Sequence, residues 1–81
     1  VVAALIPWNY PILLWAWKAA PALAAGNTVV AKPSPQTPLS LAEVAKLLQL
    51  PEGVHAIVQG DVAVGQALVD HPAVSKVAFT G

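Results

Sequence analysis

The sequence contains no cysteine, and only 10% of its 81 residues are charged. Without cysteine, neither a disulfide nor a thiolate metal site can form. Four basic and four acidic residues give a net charge of zero, so no basic stripe exists that would bind nucleic acid. His55 and His71 lie far apart, and no carboxylate pairs with either at metal-ligand spacing, so we predict no metal site.

Apolar residues make up 57% of the chain, which is high for a small soluble domain. Strands that are buried on both faces appear as continuous apolar runs, as in parallel sheets covered by helices. We therefore interpret residues 1–81 as part of a single larger domain, cut at both ends. Residues 12–25 are the most membrane-like stretch, but Lys18, Pro21 and a length below about 20 residues favour a buried helix over a membrane span.

The order of apolar runs predicts four strands that alternate with three helices. The predicted strands are residues 1–6, 28–32, 54–59 and 74–79, and the predicted helices are residues 12–25, 39–50 and 62–69. Pro21 should kink the first helix or restart it, and Thr37 or Ser40 should cap the second. The alternation indicates an α/β fold, a Rossmann-like parallel sheet with flanking helices and right-handed crossovers.

Each predicted strand is followed by polar or glycine residues. These groups are Trp8-Asn9-Tyr10, Lys32-Pro33-Ser34, Gly60-Asp61 with Gly65 beyond, and Thr80-Gly81. In an open α/β sheet, ligands bind beyond the carboxyl ends of the strands. We therefore expect one ligand crevice along this edge of the sheet.

Asn9 has two possible roles. Its amide can donate two hydrogen bonds and could stabilise negative charge on a carbonyl oxygen. It could instead cap the following helix, since Asn is a favoured N-cap residue and Pro11 would lie in the first turn.

The predicted crevice carries neither of the two common phosphate-binding motifs. Gly65 is followed by Gln66, so the loop is not a Walker motif, and the G-x-G-x-x-G spacing is absent. Lys32 and Ser34 could still donate to a ribose or a phosphate. We interpret Asp61 as a turn residue and not as an acid catalyst.

Four segments resemble the NAD(P)-binding domain of aldehyde dehydrogenases, in the family's order and at similar spacing. They are Pro7-Trp8-Asn9-Tyr10-Pro11, residues 17–27, Val29-Val30-Ala31-Lys32-Pro33-Ser34, and Val77-Ala78-Phe79-Thr80-Gly81. The resemblance runs from end to end and would make the chain about one sixth of a family subunit. It implies a parent enzyme that oxidises an aldehyde to a carboxylic acid with NAD or NADP.

The resemblance also implies a role for each matching residue. Asn9 matches a catalytic amide that stabilises the oxyanion of a thiohemiacetal. Tyr10, Leu14 and Trp17 match positions that line the aldehyde tunnel. Lys32 matches the lysine that bonds the adenine-side ribose. The positions that match the cofactor cleft are Ile6, Pro7, Trp8, Lys32, Ser34, Gly65, Phe79, Thr80 and Gly81.

Two positions depart from the family pattern. Pro35 stands where many NAD-preferring members have Glu, and Val62 stands where Gly is common. The family's nucleophilic Cys and general-base Glu are absent; Glu43 and Glu52 match neither. We therefore expect the fragment alone to be inactive.

The alternatives to an enzyme fragment are a catalytically dead family member and a non-enzymatic nucleotide-binding module. A structural membrane hairpin is a third interpretation, which Lys18, Pro21 and the prolines at 33 and 35 disfavour. For the parent we expect a homo-oligomer, a dimer or tetramer, in the cytoplasm. We expect no nucleic-acid or membrane partner.

Overall fold

A computed structural model describes residues 1–80 of the chain. The elements, in chain order, are β1 (Val2–Ile6), α1 (Pro11–Ala24), β2 (Val29–Pro33), α2 (Leu39–Ala45), β3 (His55–Ile57), α3 (Val62–Asp70) and β4 (Lys76–Phe79). Their alternation confirms the predicted α/β class. Gly81, which was assigned to the cofactor cleft, lies outside the described residues.

The four strands form one parallel sheet in the order β3-β2-β1-β4. The chain moves outward from β1 to β2 and β3, and then crosses back to place β4 on the other side of β1. Right-handed crossovers therefore put α1 and α2 on one face and α3 on the other. The direction of winding reverses at the β1–β4 pair, and such a reversal is where open α/β sheets form their ligand crevice.

One apolar cluster joins the sheet to α1 and α2. Its buried members are Val2, Ala4, Ile6, Leu14, Trp15, Ala19, Val29, Ala31 and Leu41. The strand members are alternate residues of β1 and β2, because successive side chains of a strand point to opposite faces. Trp15 is only 8% exposed, so its large side chain is part of this core.

Helix α1 runs through Pro21 without a break. Pro11 lies at its start, where a missing N–H costs no hydrogen bond. The predicted restart at Pro21 does not occur; proline there removes one intrahelical donor, and the Ala25 N–H still bonds to the Pro21 carbonyl at 3.0 Å. Gly26 follows with a φ of 89°, as expected of a left-handed helix stop.

Helix α2 is shorter than the amphipathic pattern predicted. It ends at Ala45 and not at residue 50. The Leu47 and Leu48 N–H groups bond to carbonyls three residues earlier, at 3.0 and 3.1 Å, so the helix tightens into turns before Pro51.

The predicted caps of α2 are also wrong. Pro38 is the N-cap residue, and no side chain caps the helix there. Neither Thr37 nor Ser40 therefore has the capping role that their residue types suggested.

Strands β3 and β4 are shorter than their apolar runs. Each pairs with a single neighbour in the described sheet. Pairing with β2 continues slightly past β3, because the Val29 N–H donates to Val54 at 2.9 Å and the Val58 N–H donates to Ala31 at 3.0 Å. The run of hydrophobic residues thus predicted where the strands lie but not where regular pairing ends.

Several large apolar side chains are exposed. Val62 is 85% exposed, Leu47 79% and Phe79 68%. These side chains belong to α3, the turn after α2 and the end of β4. No helix in the described part of the chain has the length and apolar character needed to cross a membrane.

We predict that the isolated 81-residue chain self-associates or fails to fold stably. Exposed apolar faces and the outer edges of β3 and β4 favour association with other chains. Size-exclusion chromatography with light scattering, combined with thermal unfolding, measures this. A monodisperse monomer with a cooperative unfolding transition would contradict the prediction.

A hydrogen bond ties α1 to the edge strand β3. The Trp15 indole N–H donates to His55 Nε2 at 2.9 Å, and the two rings meet edge to face at 81° with centroids 5.6 Å apart. Burial lowers the pKa of His55 below its ordinary value of 6.5. A proton on Nε2 would also remove the acceptor that Trp15 uses.

Acid should therefore weaken this tie in the full-length protein. Well above pH 6.5 His55 is neutral in both the folded and the unfolded state. As the pH falls below 6.5, the unfolded state takes up a proton that the folded state resists, so the free energy of unfolding decreases. We predict that His55→Gln, which cannot titrate, shows a smaller decrease in Tm between about pH 8 and pH 5. Parallel pH profiles for the two proteins would exclude a contribution from His55.

Candidate functional site

The ends of β1 and β4 lie side by side at the carboxyl edge of the sheet. Leu5 pairs with Phe79 in the parallel register. Just beyond this pair, Pro7, Trp8, Asn9 and Thr80 line an open cleft of about 500 Å³. Leu5 and Phe79, 74 positions apart in the sequence, are therefore brought together where the winding of the sheet reverses. The sequence predicted one crevice with groups from all four strand ends, and the residues that line this cleft come from two of them.

Asn9 lies in the exposed turn between β1 and α1. The N-cap residue of α1 is Tyr10, and no side chain caps the helix start. The alternative in which Asn9 serves as a cap is therefore wrong. Asn9 is exposed and lines the cleft, and its side-chain amide carries two N–H donors.

Lys32 lies within β2 and is only 8% exposed. Its Nζ donates to the Pro33 carbonyl at 3.3 Å. A β-carbon added to Gly65 would lie 3.7 Å from both Cδ and Cε of Lys32, so the lysine stem runs beneath α3. Ser34 follows the strand, and its Oγ accepts from the Gln36 N–H at 3.2 Å.

Three other residues of the predicted cofactor cleft occupy different environments. Ile6 is 4% exposed and belongs to the core beneath the crevice. Trp8 and Phe79 are 61% and 68% exposed, so they present apolar surface at the ends of β1 and β4. Trp8 therefore contributes an aromatic wall to the cleft, and Ile6 closes the core below it.

The predicted tunnel residues divide into two groups. Tyr10 and Trp17 are both 65% exposed on or beside α1. Leu14 is 8% exposed and packs in the core cluster. Tyr10 and Asn9 also line a shallow depression of about 290 Å³ on the outer side of the turn. A tunnel role for the three residues stays a prediction.

Asp61 and Glu43 have structural roles in the described chain. Asp61 caps α3 by accepting the Ala63 N–H at 3.0 Å, which agrees with its assignment as a turn residue. Glu43 is exposed and pairs with Lys46 at 3.1 Å. Within residues 1–80, no cluster of three His, Cys, Asp or Glu side chains could hold a metal ion.

The sequence patterns did not identify the contact of Lys18 with Thr80, a residue that lines the cleft. Lys18 Nζ donates to Thr80 Oγ1 at 2.6 Å, across 62 residues of sequence. In the sequence, Lys18 is noticeable only as a single cation in the apolar helix α1. The fold is needed to show that β4 ends within hydrogen-bond distance of this lysine.

The arrangement is that of an α/β domain with a ligand crevice at the switch point of a parallel sheet. The sequence profile described as the aldehyde dehydrogenase family matches residues 1–81. The chain belongs to the aldehyde dehydrogenase family.

Named relatives agree with this membership. Phenylacetaldehyde dehydrogenase of Pseudomonas fluorescens is 58% identical over 85 residues, and betaine aldehyde dehydrogenase of Vibrio vulnificus is 52% identical over 84 residues. Each alignment covers 100% of this chain and 17% of the relative. The chain thus spans about one sixth of the length of these curated relatives.

Solved structures share the fold over nearly the whole chain. HpcC from Thermus thermophilus has a TM-score of 0.90 and 48% identity, covering 99% of this chain and 16% of that chain. Proline utilization A from Bradyrhizobium japonicum has a TM-score of 0.94 and 41% identity, covering 99% of this chain and 8% of that chain.

We predict that Lys18→Met loosens the end of β4 in the full-length protein. Methionine retains an apolar stem but cannot donate to Thr80 Oγ1. Hydrogen exchange at the Phe79 and Thr80 amides should become faster. Lys76→Met, at the opposite end of β4, is the matched control and should leave these amides unchanged. Unchanged exchange in Lys18→Met would show that the bond does not hold this strand end.

Proposed function

We propose that the chain forms the cofactor-binding part of an NAD(P)-dependent aldehyde dehydrogenase that oxidises an aldehyde to a carboxylic acid. The observation that carries the proposal is the meeting of Asn9 and Thr80 in one cleft at the β1–β4 switch point. Family membership supports the reaction class. When bound, NAD or NADP supplies the acceptor for the hydride of the aldehyde.

The donors at the end of β2 fit the adenine-side ribose of such a cofactor. Lys32 has three N–H donors, and its Nζ donates to the Pro33 carbonyl at a long 3.3 Å. A hydrogen bond from a charged amine to a ribose hydroxyl is stronger than one between neutral groups. Ser34 follows the end of β2 close to Lys32 and would complete this end of the site, whereas Pro7, Trp8 and Thr80 would line its middle.

Asn9 would act on the carbonyl oxygen of the aldehyde. Addition of a thiolate to the carbonyl carbon places negative charge on that oxygen, and the exposed Asn9 amide can donate a hydrogen bond to it. The nucleophilic Cys and the general-base Glu would come from other parts of the full-length protein, since residues 1–81 contain no Cys. The fragment by itself would therefore be inactive.

The exposed aromatic rings of Tyr10 and Trp17 suit the wall of a tunnel for an apolar aldehyde. Relatives of similar identity are named for phenylacetaldehyde, betaine aldehyde and long-chain aldehydes, so the proposal stays at the aldehyde class. We further propose that the full-length protein is a cytoplasmic homo-oligomer, a dimer or a tetramer, like the parent expected from the sequence.

Asn9→Ala should lower the turnover of the full-length enzyme far more than its cofactor affinity. Loss of one oxyanion donor typically lowers kcat about 10²–10³-fold. Steady-state kinetics with an aldehyde, together with titration of NADH fluorescence, measures both quantities.

Asn27→Ala is the matched control, because Asn27 lies at the opposite edge and bonds to the Ala22 carbonyl at 3.2 Å. It should leave turnover near the wild-type value. Normal turnover in Asn9→Ala, with collapsed cofactor binding, would contradict the catalytic role of Asn9.

Pro35 should permit NADP as well as NAD. A Glu at this exposed position would repel a 2′-phosphate, whereas Pro35 leaves the cation and hydroxyl of Lys32 and Ser34 without that opposing charge. We predict that Pro35→Glu shifts the ratio of kcat/KM values toward NAD, with the aldehyde's own KM little changed.

Gln36→Glu adds the same charge one residue away, also at an exposed position, and should shift the ratio less. If the wild type strictly prefers NAD and Pro35→Glu leaves the ratio unchanged, then residues elsewhere in the protein determine the cofactor preference.

A further inference from the structure

Lys32 is the one buried charged side chain within residues 1–80. Such a long, flexible stem has many rotamers, and ordering it costs conformational entropy. The structure holds it in a narrow space between the β2 backbone and α3, where the Gly65 position lies within van der Waals distance of Cδ and Cε. The position of the Lys32 ammonium therefore depends on which side chain α3 carries at residue 65.

The start of α3 is fixed in a way that brings Gly65 over the lysine. The Asp61 side chain accepts the Ala63 N–H at 3.0 Å, and the Gly65 N–H donates to the Asp61 carbonyl at 3.2 Å. These two bonds set the first turn of the helix. Gly26, Gly53 and Gly60 have a positive φ, and Gly65 is not among them. The conformational freedom of its backbone therefore does not explain why residue 65 is a glycine.

We propose that Gly65 is a positioning residue that acts through Lys32. The absent side chain leaves room for the lysine stem to lie flat beneath α3, and this keeps the ammonium at the carboxyl end of β2. The expected effect on cofactor affinity rests on the proposed function. The effect on the position of the lysine stem concerns only Gly65 and Lys32.

The expected displacement of Lys32 increases with the size of the side chain at residue 65. The β-carbon of alanine would lie 3.7 Å from the stem, which is ordinary contact, so Gly65→Ala retains the lysine in place. Valine adds γ-carbons about 1.5 Å further out. Because valine is nearly restricted to one rotamer in a helix, these carbons have little freedom to turn away from the stem. Gly65→Val should therefore expel the lysine side chain.

The first experiment is amine labelling of the full-length protein without cofactor, followed by peptide mass spectrometry. Gly65→Val should raise the rate of Lys32 acetylation by acetic anhydride several-fold, and Gly65→Ala should leave it at the wild-type rate. Lys46, which is exposed, serves as the internal reference. If Gly65→Val does not fold, as judged by thermal unfolding, Gly65→Ser adds a single γ-atom and should raise labelling in the same direction.

The second experiment is a double-mutant cycle that measures NADH affinity by fluorescence titration. Gly65→Val should weaken binding about tenfold, the loss expected when a charged hydrogen-bond donor is displaced. In a Lys32→Ala background the same substitution should have little further effect, because the group through which Gly65 acts is already gone.

Two results would overturn the inference. Unchanged Lys32 labelling in the folded Gly65→Val or Gly65→Ser variant would show that residue 65 does not hold the stem. An equal loss of affinity from Gly65→Val in both backgrounds would show that residue 65 contacts the cofactor directly. Failure of the wild type to bind either NADH or NADPH would refute the proposed function, while the labelling result would still decide the role of Gly65 toward Lys32.

Discussion

The whole arrangement depends on the parallel pairing of β1 with a strand on each side. Ala3 and Ala4 in its middle are completely buried, and their small side chains allow layers to pack closely on both faces. Because β2 and β4 flank this one strand, the chain must leave β1 in one direction and return on the other side. That reversal places the turn after β1 beside the end of β4 and creates the crevice.

The same layering determines the chemistry along the crevice. Residues of β2 alternate between the two faces, so Ala31 joins the apolar core beneath α1 and α2 while Lys32 lies beneath α3. Helix α1 contributes to the site from the other face, where Lys18 reaches Thr80. Asn9 thus lies at the cleft, while Lys18 and Lys32 approach the ends of neighbouring strands from opposite faces of the sheet.

Much of this could be predicted from the sequence, because apolar runs and strand-end residues reflect local physical chemistry. The runs at residues 1–6 and 28–32 predicted strands within a residue of those observed. The end of α2 could not be read from periodicity, because Leu47 and Leu48 continue the apolar pattern after the backbone has changed its hydrogen bonding. The contact of Lys18 with Thr80 depends on the order of strands, which local patterns do not encode.

We propose that the carboxyl ends of β2, β1 and β4 form one binding surface for a nicotinamide dinucleotide. A crystal structure of the full-length protein with NAD or NADP tests it most directly. The account predicts the adenine-side ribose within about 3.2 Å of Lys32 Nζ, with the rest of the cofactor crossing the cleft lined by Pro7, Trp8 and Thr80. A cofactor bound with no atom at these strand ends would contradict it.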